Sequence, residues 1–254
     1  MNDKAKLSQN ALAILHTLLI YAWIVVGTVV LGCTAIAVSF FSKTGNSVHW
    51  VARLWGRSIL WVSGVRVQIV GLENIDPTRS AIYMSNHQSN FDIPVFFSAL
   101  PVQFRWLAKA ELFKIPIFGQ GMRGAGYISI DRSDRKSAMQ SLSRAAESIR
   151  KGKSVLVFPE GTRSSDGALL PFKSGGFILA IDAGVPIIPM AVQGTFEVMP
   201  RHARIIRSKR VRLVLGTPIE ATDYNRRSKN DLMEKVRSSI LAAMAETPDG
   251  GGRG

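Results

Sequence analysis

Hydrophobic residues follow two different rhythms along the chain. From Ala11 to Phe41 no charged residue interrupts the apolar run, which exceeds the ~20 residues a helix needs to cross a hydrocarbon core. That length predicts a membrane-embedded helical segment. It is either one tilted helix or two shorter helices, broken near Gly27 or Gly32, that enter and leave the same leaflet. Lys4 and Lys6 precede the run, while Lys43, Arg53 and Arg57 follow it; positive charge on both flanks favours the re-entrant hairpin. A cleaved signal peptide would have an apolar centre of only ~7–15 residues, so the segment reads as a retained anchor. The stretch Val48 to Trp61 then mixes Trp50, Trp55 and Trp61 with Arg53 and Arg57, an interfacial composition. The alternative is a helix packed on a soluble core. His49 is expected at the surface and His16 at the membrane interface.

From about Val65 onward short β-rich runs alternate with amphipathic helices. The strand candidates are Val65–Val70, Ala81–Ser85, Gln103–Ala108, Gly126–Ile130, Ser154–Phe158, Ile187–Gln193 and Val211–Gly216. The clearest helix, Asp134 to Arg150, has Ser133 or Asp134 as cap, an apolar stripe of Ala138, Leu142, Ala145 and Ile149, and Gly152 as stop. A second runs from Ser174 to Ala183. A third follows an Asn230 cap through Leu232, Val236, Ile240 and Ala243. This alternation predicts an α/β fold with a mixed, mostly parallel central sheet flanked by helices. The predicted organisation is therefore a membrane anchor over 1–62, an α/β domain over 63–246 and a disordered Gly-rich tail over 247–254.

Charge narrows the partners. The formal net charge is +14, and so basic a surface attracts phosphates on nucleic acid, anionic lipid or small substrates. The apolar N-terminal run decides for lipid over nucleic acid. The densest positive run, Arg201, Arg204, Arg207, Lys209, Arg210 and Arg212, is a solvated face or a contact for an anionic bilayer surface. One cysteine, Cys33, and four scattered histidines supply no metal-ligand cluster.

The candidate chemistry begins at Asn86-His87-Gln88-Ser89-Asn90-Phe91-Asp92. Five residues turn ~500° on a helix, so His87 and Asp92 meet only if the chain turns between them. Gln88-Ser89-Asn90 supplies that turn, and Pro94 marks a helix starting near Asp92, where the helix dipole favours an anion. A histidine beside a carboxylate is a general base with its orienting group, or merely a capped structural histidine. Ser89 is a poor nucleophile candidate, because no Gly-x-Ser-x-Gly elbow surrounds it. In Phe158-Pro159-Glu160-Gly161-Thr162-Arg163-Ser164, proline and glycine fix a turn beyond a strand. Backbone N–H groups and the Arg163 fork can converge there on one phosphate. Glu160 would orient an arginine or accept a substrate hydroxyl. A solvated Glu–Arg surface turn is the alternative. Lys173 is a solvated lysine or a further phosphate candidate.

Together with Gly126-Tyr127-Ile128-Ser129-Ile130-Asp131-Arg132 and Val185-Pro186-Ile187-Ile188-Pro189-Met190-Ala191, these blocks, in this order and spacing, resemble the glycerolipid acyltransferase family from Ala81 to Gly194. The resemblance implies catalytic roles for His87 and Asp92. It implies binding of the acceptor's glycerol phosphate by Arg132, Glu160, Gly161, Thr162 and Arg163. Pro189 would serve the acyl donor or only the structure. The stretch Ala108 to Pro116 resembles the family too and puts Lys109 near the site, against the thioester carbonyl or a phosphate. The implied reaction carries a fatty acyl group from a thioester to the sn-2 hydroxyl of 1-acyl-sn-glycerol-3-phosphate (lysophosphatidic acid), giving phosphatidic acid. Acyl-CoA or acyl carrier protein would be the co-substrate, with no cofactor, metal or nucleic acid. The implied place is the inner membrane of a bacterium, with the catalytic domain facing the cytoplasm. The rivals are another lyso-lipid acceptor (a lyso-ornithine lipid or lysophospholipid) and a non-catalytic basic protein that binds anionic membranes.

Overall fold

A computed structural model describes residues 3–131 and 134–246. Its first element, α1 (Asp3–Ser39), runs without a break, and Ala11–Ser39 is long and apolar enough to cross a membrane. Of the two alternatives, a single helix or two broken near Gly27 or Gly32, the single helix is the one present. A glycine costs a helix only ~1 kcal/mol, and Gly32 serves packing instead: a Cβ there would lie 2.5 Å from Ile117 Cγ2. The chain reverses at residues 40–45, where Gly45 takes a φ of 76° and a Cβ would meet the Ala125 carbonyl oxygen at 2.7 Å.

The returning helix, α2 (Asn46–Val62), lies antiparallel to α1. Trp55 Nε1 donates to Thr28 Oγ1 and Trp23 Nε1 to Ser58 Oγ, each at 3.1 Å, and His16 Nε2 lies 3.2 Å from the Val62 carbonyl. The hairpin thus forms between α1 and α2. One face of α2 buries His49, Arg53, Gly56 and Leu60, while Trp50, Leu54 and Trp61 stay exposed. His49, expected at the surface, is buried: its ring lies against Phe97 and Phe104, and Nδ1 is 3.1 Å from the Tyr127 hydroxyl. Its i, i+4 and i, i+7 spacing with Arg53 and Gly56 puts it on the packed stripe.

After α2 the order is β1 (Arg66–Val70), β2 (Ile82–Ser85), α3 (Asp92–Ala99), β3 (Phe104–Lys109), α4 (Phe118–Gly124), β4 (Ile128–Ile130), α5 (Arg135–Arg150), β5 (Ser154–Val157), α6 (Gly175–Ala183), β6 (Ile187–Gln193), α7 (Thr195–Val198), β7 (Arg210–Leu215) and α8 (Lys229–Ala245). Among the described residues the strands form one sheet in the order β1-β7-β6-β2-β5-β3-β4. Every pair is parallel except β6–β7, so the mixed, mostly parallel sheet expected from the pattern is present. Its central strands are buried on both faces and alternate between two cores. Tyr83, Leu156 and Ile188 pack with Val95 and Phe96 of α3; Ile82, Met84, Val155 and Val157 pack with Leu142 of α5, Phe177 of α6 and Leu232 of α8.

That alternation positions the site. Adjacent strands β2 and β5 pair through Ile82–Val155, Tyr83–Leu156 and Met84–Val157, yet the chain leaves β2 toward one face and β5 toward the other. Loops that diverge at the carboxyl ends of neighbouring parallel strands open a crevice between them.

Candidate active site

The loop that leaves β2 is stitched down residue by residue. Asn86 continues the ladder with its side chain: Nδ2 donates to the Val192 carbonyl at 2.9 Å, and Oδ1 accepts the Val192 N–H at 2.7 Å. His87 follows. Its Nδ1 lies 2.7 Å from Asp92 Oδ2, which also accepts the N–H groups of Gln88 at 2.8 Å and Ser89 at 3.0 Å. Asp92 is fully buried at the first residue of α3, where helix N–H groups favour a carboxylate. An oxygen receiving three hydrogens orients the imidazole with Nδ1 as donor and leaves Nε2 with the lone pair. Nε2 has no hydrogen-bond partner among the described residues, and the His87 side chain keeps 16% exposure. The ring stacks on Phe158 at 3.8 Å and 7°. Ser89 is buried, donates to the Met199 carbonyl at 2.7 Å and accepts the Phe91 N–H at 3.1 Å. Its hydroxyl is a fastener of the loop.

The loop after β5 meets this one. Glu160 Oε1 accepts the His87 N–H at 2.6 Å and Oε2 the Leu170 N–H at 2.7 Å, while the His87 carbonyl accepts the Ser164 N–H at 2.8 Å. Burial pushes the Glu160 carboxyl up to about 7 against the opposing pull of those two N–H groups; Asp92 adds to the rise and Arg237 opposes it. Glu160 was expected to orient an arginine or take a substrate hydroxyl. It faces the backbone instead, because two loops converge there with N–H groups that no strand can satisfy. Gly161, at φ 73°, turns the chain so that Thr162 and Arg163 line the crevice. The Arg163 guanidinium has no hydrogen bond or ion pair among the described residues. Burial and the nearby Arg201 hold its pKa below the usual guanidinium range, with Asp92 opposing them.

His87, Phe158, Thr162 and Arg163 bound a cavity of about 400 Å³ whose remaining walls are almost wholly apolar. It extends between α1 and α2 on one side and β3 and α4 on the other, past Trp55 and Trp106, to Ala35, Val48, Ala125 and Tyr127 beside the 40–45 turn. Lys109 also lines it, and its ammonium, largely exposed, pairs with Glu111 at 3.1 Å. Lys173 does not line the cavity; it is exposed and its N–H binds the Pro159 carbonyl at 2.8 Å. Pro189 sits in β6 opposite Met84, away from the cavity. Arg132 lies outside the described residues. Asn86, Trp55 and Trp106 were not singled out for the site from the sequence. For Asn86 the available signal was an amide just past a strand end, one residue before the histidine. Among the described residues no group of three or more His, Cys, Asp or Glu side chains is arranged to hold a metal ion.

The family described as Acyltransferase matches residues 66–193, which hold both stitched loops. The chain belongs to the acyltransferase family. This family member is 37% identical over 199 residues to the chloroplastic 1-acyl-sn-glycerol-3-phosphate acyltransferase BAT2 of Brassica napus, an alignment covering 77% of this chain and 56% of that protein. The chain thus spans about half the length of this plant relative. It is 32% identical over 203 residues to the 1-acyl-sn-glycerol-3-phosphate acyltransferase of Pseudomonas aeruginosa, covering 78% of each. The crystal structure of the 1-acyl-sn-glycerophosphate (LPA) acyltransferase PlsC from Thermotoga maritima superimposes with a TM-score of 0.78 at 26% identity, covering 94% of this chain and 99% of that one.

Proposed function

We propose that the protein transfers a fatty acyl group from a thioester to the sn-2 hydroxyl of 1-acyl-sn-glycerol-3-phosphate, giving phosphatidic acid. The observation that carries this reading is the His87–Asp92 pair opening onto an apolar cavity lined by the Arg163 guanidinium, which has no side-chain partner among the described residues. The names of the relatives, which act on the same acceptor, support it.

His87 Nε2 takes the proton of the acceptor hydroxyl as that oxygen attacks the thioester carbonyl, and Nδ1–H to Asp92 stabilises the imidazolium that forms. The tetrahedral carbon then expels sulfur: the C–S bond breaks, the C–O bond remains, and the thiolate leaves. A thiolate needs little protonation, so His87 returns its proton to solvent or to the thiolate and no acyl-enzyme is required. Arg163 binds the acceptor phosphate with two parallel N–H donors, and Arg132 is assigned to the same phosphate. Thr162 and Lys109 lie at the rim where a phosphate or the thioester carbonyl would sit. Gly161 lets the backbone approach. Holding the hydroxyl against Nε2 in this way removes orientational cost worth ~7–11 kcal/mol in well-aligned systems. The cavity between the hairpin and β3 receives an acyl chain and excludes water from the reacting atoms.

The hairpin supplies the lipid. Exposed Phe40 and Phe41 at its turn, Trp50 and Trp61 on α2, and the apolar outer face of α1 enter one leaflet, so the cavity opens at the level of the acyl chains. We assign the protein to a bacterial inner membrane with the site facing the cytoplasm, where acyl-CoA and acyl carrier protein are available. The test is an assay of the purified protein in detergent with lysophosphatidate, a lyso-ornithine lipid and a lysophospholipid, each with acyl-CoA and acyl carrier protein thioesters. Phosphatidic acid formed from lysophosphatidate in preference to the other products supports the reading. No transfer to lysophosphatidate with either donor refutes it.

A further inference from the structure

Glu160 is costly where it stands. A carboxylate with 2% exposure forms, among the described residues, no hydrogen bond to a cationic side chain and bonds to two backbone N–H groups from different loops. Its surroundings are His87 and Asp92 of the β2–α3 loop, and Arg237 of α8, which donates to the Leu169 and Leu170 carbonyls at 3.1 and 2.8 Å. It does not line the cavity. It grips the backbone of the residue whose ring must meet the acceptor hydroxyl, and Ser164 grips the same residue's carbonyl.

We propose that Glu160 is a positioning residue that acts through His87: its carboxylate fixes the His87 backbone, and with it the line of attack of Nε2, without touching either substrate. The inference rests on the acyl-transfer reading above. Each carboxyl oxygen takes one of the two N–H donors, whereas an amide at this position sets an NH2 group against one of them. The loop must then shift, and a displacement of about 1 Å at a catalytic group costs about 10²-fold in rate. A substrate ligand would behave differently, since losing it weakens binding.

The experiment compares Glu160→Gln and Glu160→Asp with the wild type as full chains in detergent, each checked by thermal melting. The expected result is a fall in kcat of about 10²-fold for Glu160→Gln, with KM for lysophosphatidate and for the donor unchanged. Glu160→Asp, which keeps the charge on a shorter stem, should recover part of it. A raised acceptor KM at constant kcat, or unchanged kinetics, overturns the inference. A second measurement needs no variant. Selective 15N-histidine labelling of the wild type resolves the amides of its four histidines, and the His87 amide proton should lie well downfield of the other three. A His87 amide among the others overturns the clamp. Loss of the acyl-transfer reading itself appears elsewhere, as turnover retained by His87→Ala, so the two failures are distinct.

Discussion

Replacing Asp92 with Asn tests how the carboxylate serves His87, and the structure sets the size of the effect. Oδ2 collects three hydrogens, from His87 Nδ1 and the Gln88 and Ser89 N–H groups, at 2.7 to 3.0 Å. Oδ1 is buried with no partner among the described residues. An asparagine therefore turns its carbonyl oxygen to the three donors and its NH2 to the unoccupied side. The two backbone N–H groups enforce this orientation, so the imidazole keeps the tautomer with Nε2 as base. What disappears is the negative charge that stabilises the imidazolium. A hydrogen bond to a charged group is worth ~1.5–3 kcal/mol against ~0.5–1.5 for a neutral one, so the transition state loses about 1–2 kcal/mol, or about 5- to 30-fold in kcat. A flipped amide would present NH2 to Nδ1 and force the wrong tautomer, which in a serine-protease triad costs about 10⁴-fold. The assay is steady-state release of free thiol at saturating lysophosphatidate and donor. A loss near 10⁴-fold refutes the argument that the backbone fixes the amide, and wild-type turnover refutes the role of the charge.

Arg163→Ala should raise the KM for lysophosphatidate about 10- to 10²-fold, from one lost charge-assisted contact of ~1.5–3 kcal/mol, with little change in donor KM; an unchanged acceptor KM moves the phosphate elsewhere. Ala125→Leu fills the cavity beside Tyr127, and overpacking of about 1–3 kcal/mol should cut kcat/KM about 10-fold or more for the longest donors while sparing short ones; an unchanged chain-length profile would detach the acyl chain from this cavity. Because burial raises the Glu160 carboxyl from 4.5 to about 7, the folded chain between those pH values holds a proton that the unfolded chain has released. Its contribution of at most about 3 kcal/mol is therefore full below pH 4.5 and lost as pH rises through about 7. Subtracting the Glu160→Gln melting profile from that of the wild type should expose this slope, and parallel profiles would contradict it.

The parts of this account that were legible in the sequence are local. Strands β2, β5 and β6 read as apolar runs because both of their faces are covered, and α5 declares itself through its Asp134 cap, whose carboxylate accepts the Lys136 and Ser137 N–H groups. His87 and Asp92 could be paired in advance because one turn joins them. What stayed hidden depends on distant partners. Glu160 meets His87 across 73 residues through a backbone N–H, and a side chain bound to backbone leaves no complementary residue type to read. The cavity is assembled from α1, α2, β3 and α4, none of which carries a signal for a hollow. Gly32 suggested a break where close packing against Ile117 is the actual demand. His49 lies on a tryptophan-rich helix whose packed and exposed faces only the tertiary contacts distinguish. The last helix starts at Lys229 after Ser228 rather than after Asn230, because Asn225 organises the preceding turn by accepting the Arg227 and Ser228 N–H groups.

The central claim is that the His87 imidazole, held by Asp92 at the mouth of an apolar cavity, takes the proton from the acceptor. Its most direct test is single-turnover acyl transfer to lysophosphatidate by purified His87→Ala, alongside melting and vesicle-binding controls. The account predicts a folded, membrane-binding protein with transfer reduced about 10²- to 10⁴-fold. Transfer at the wild-type rate would contradict it.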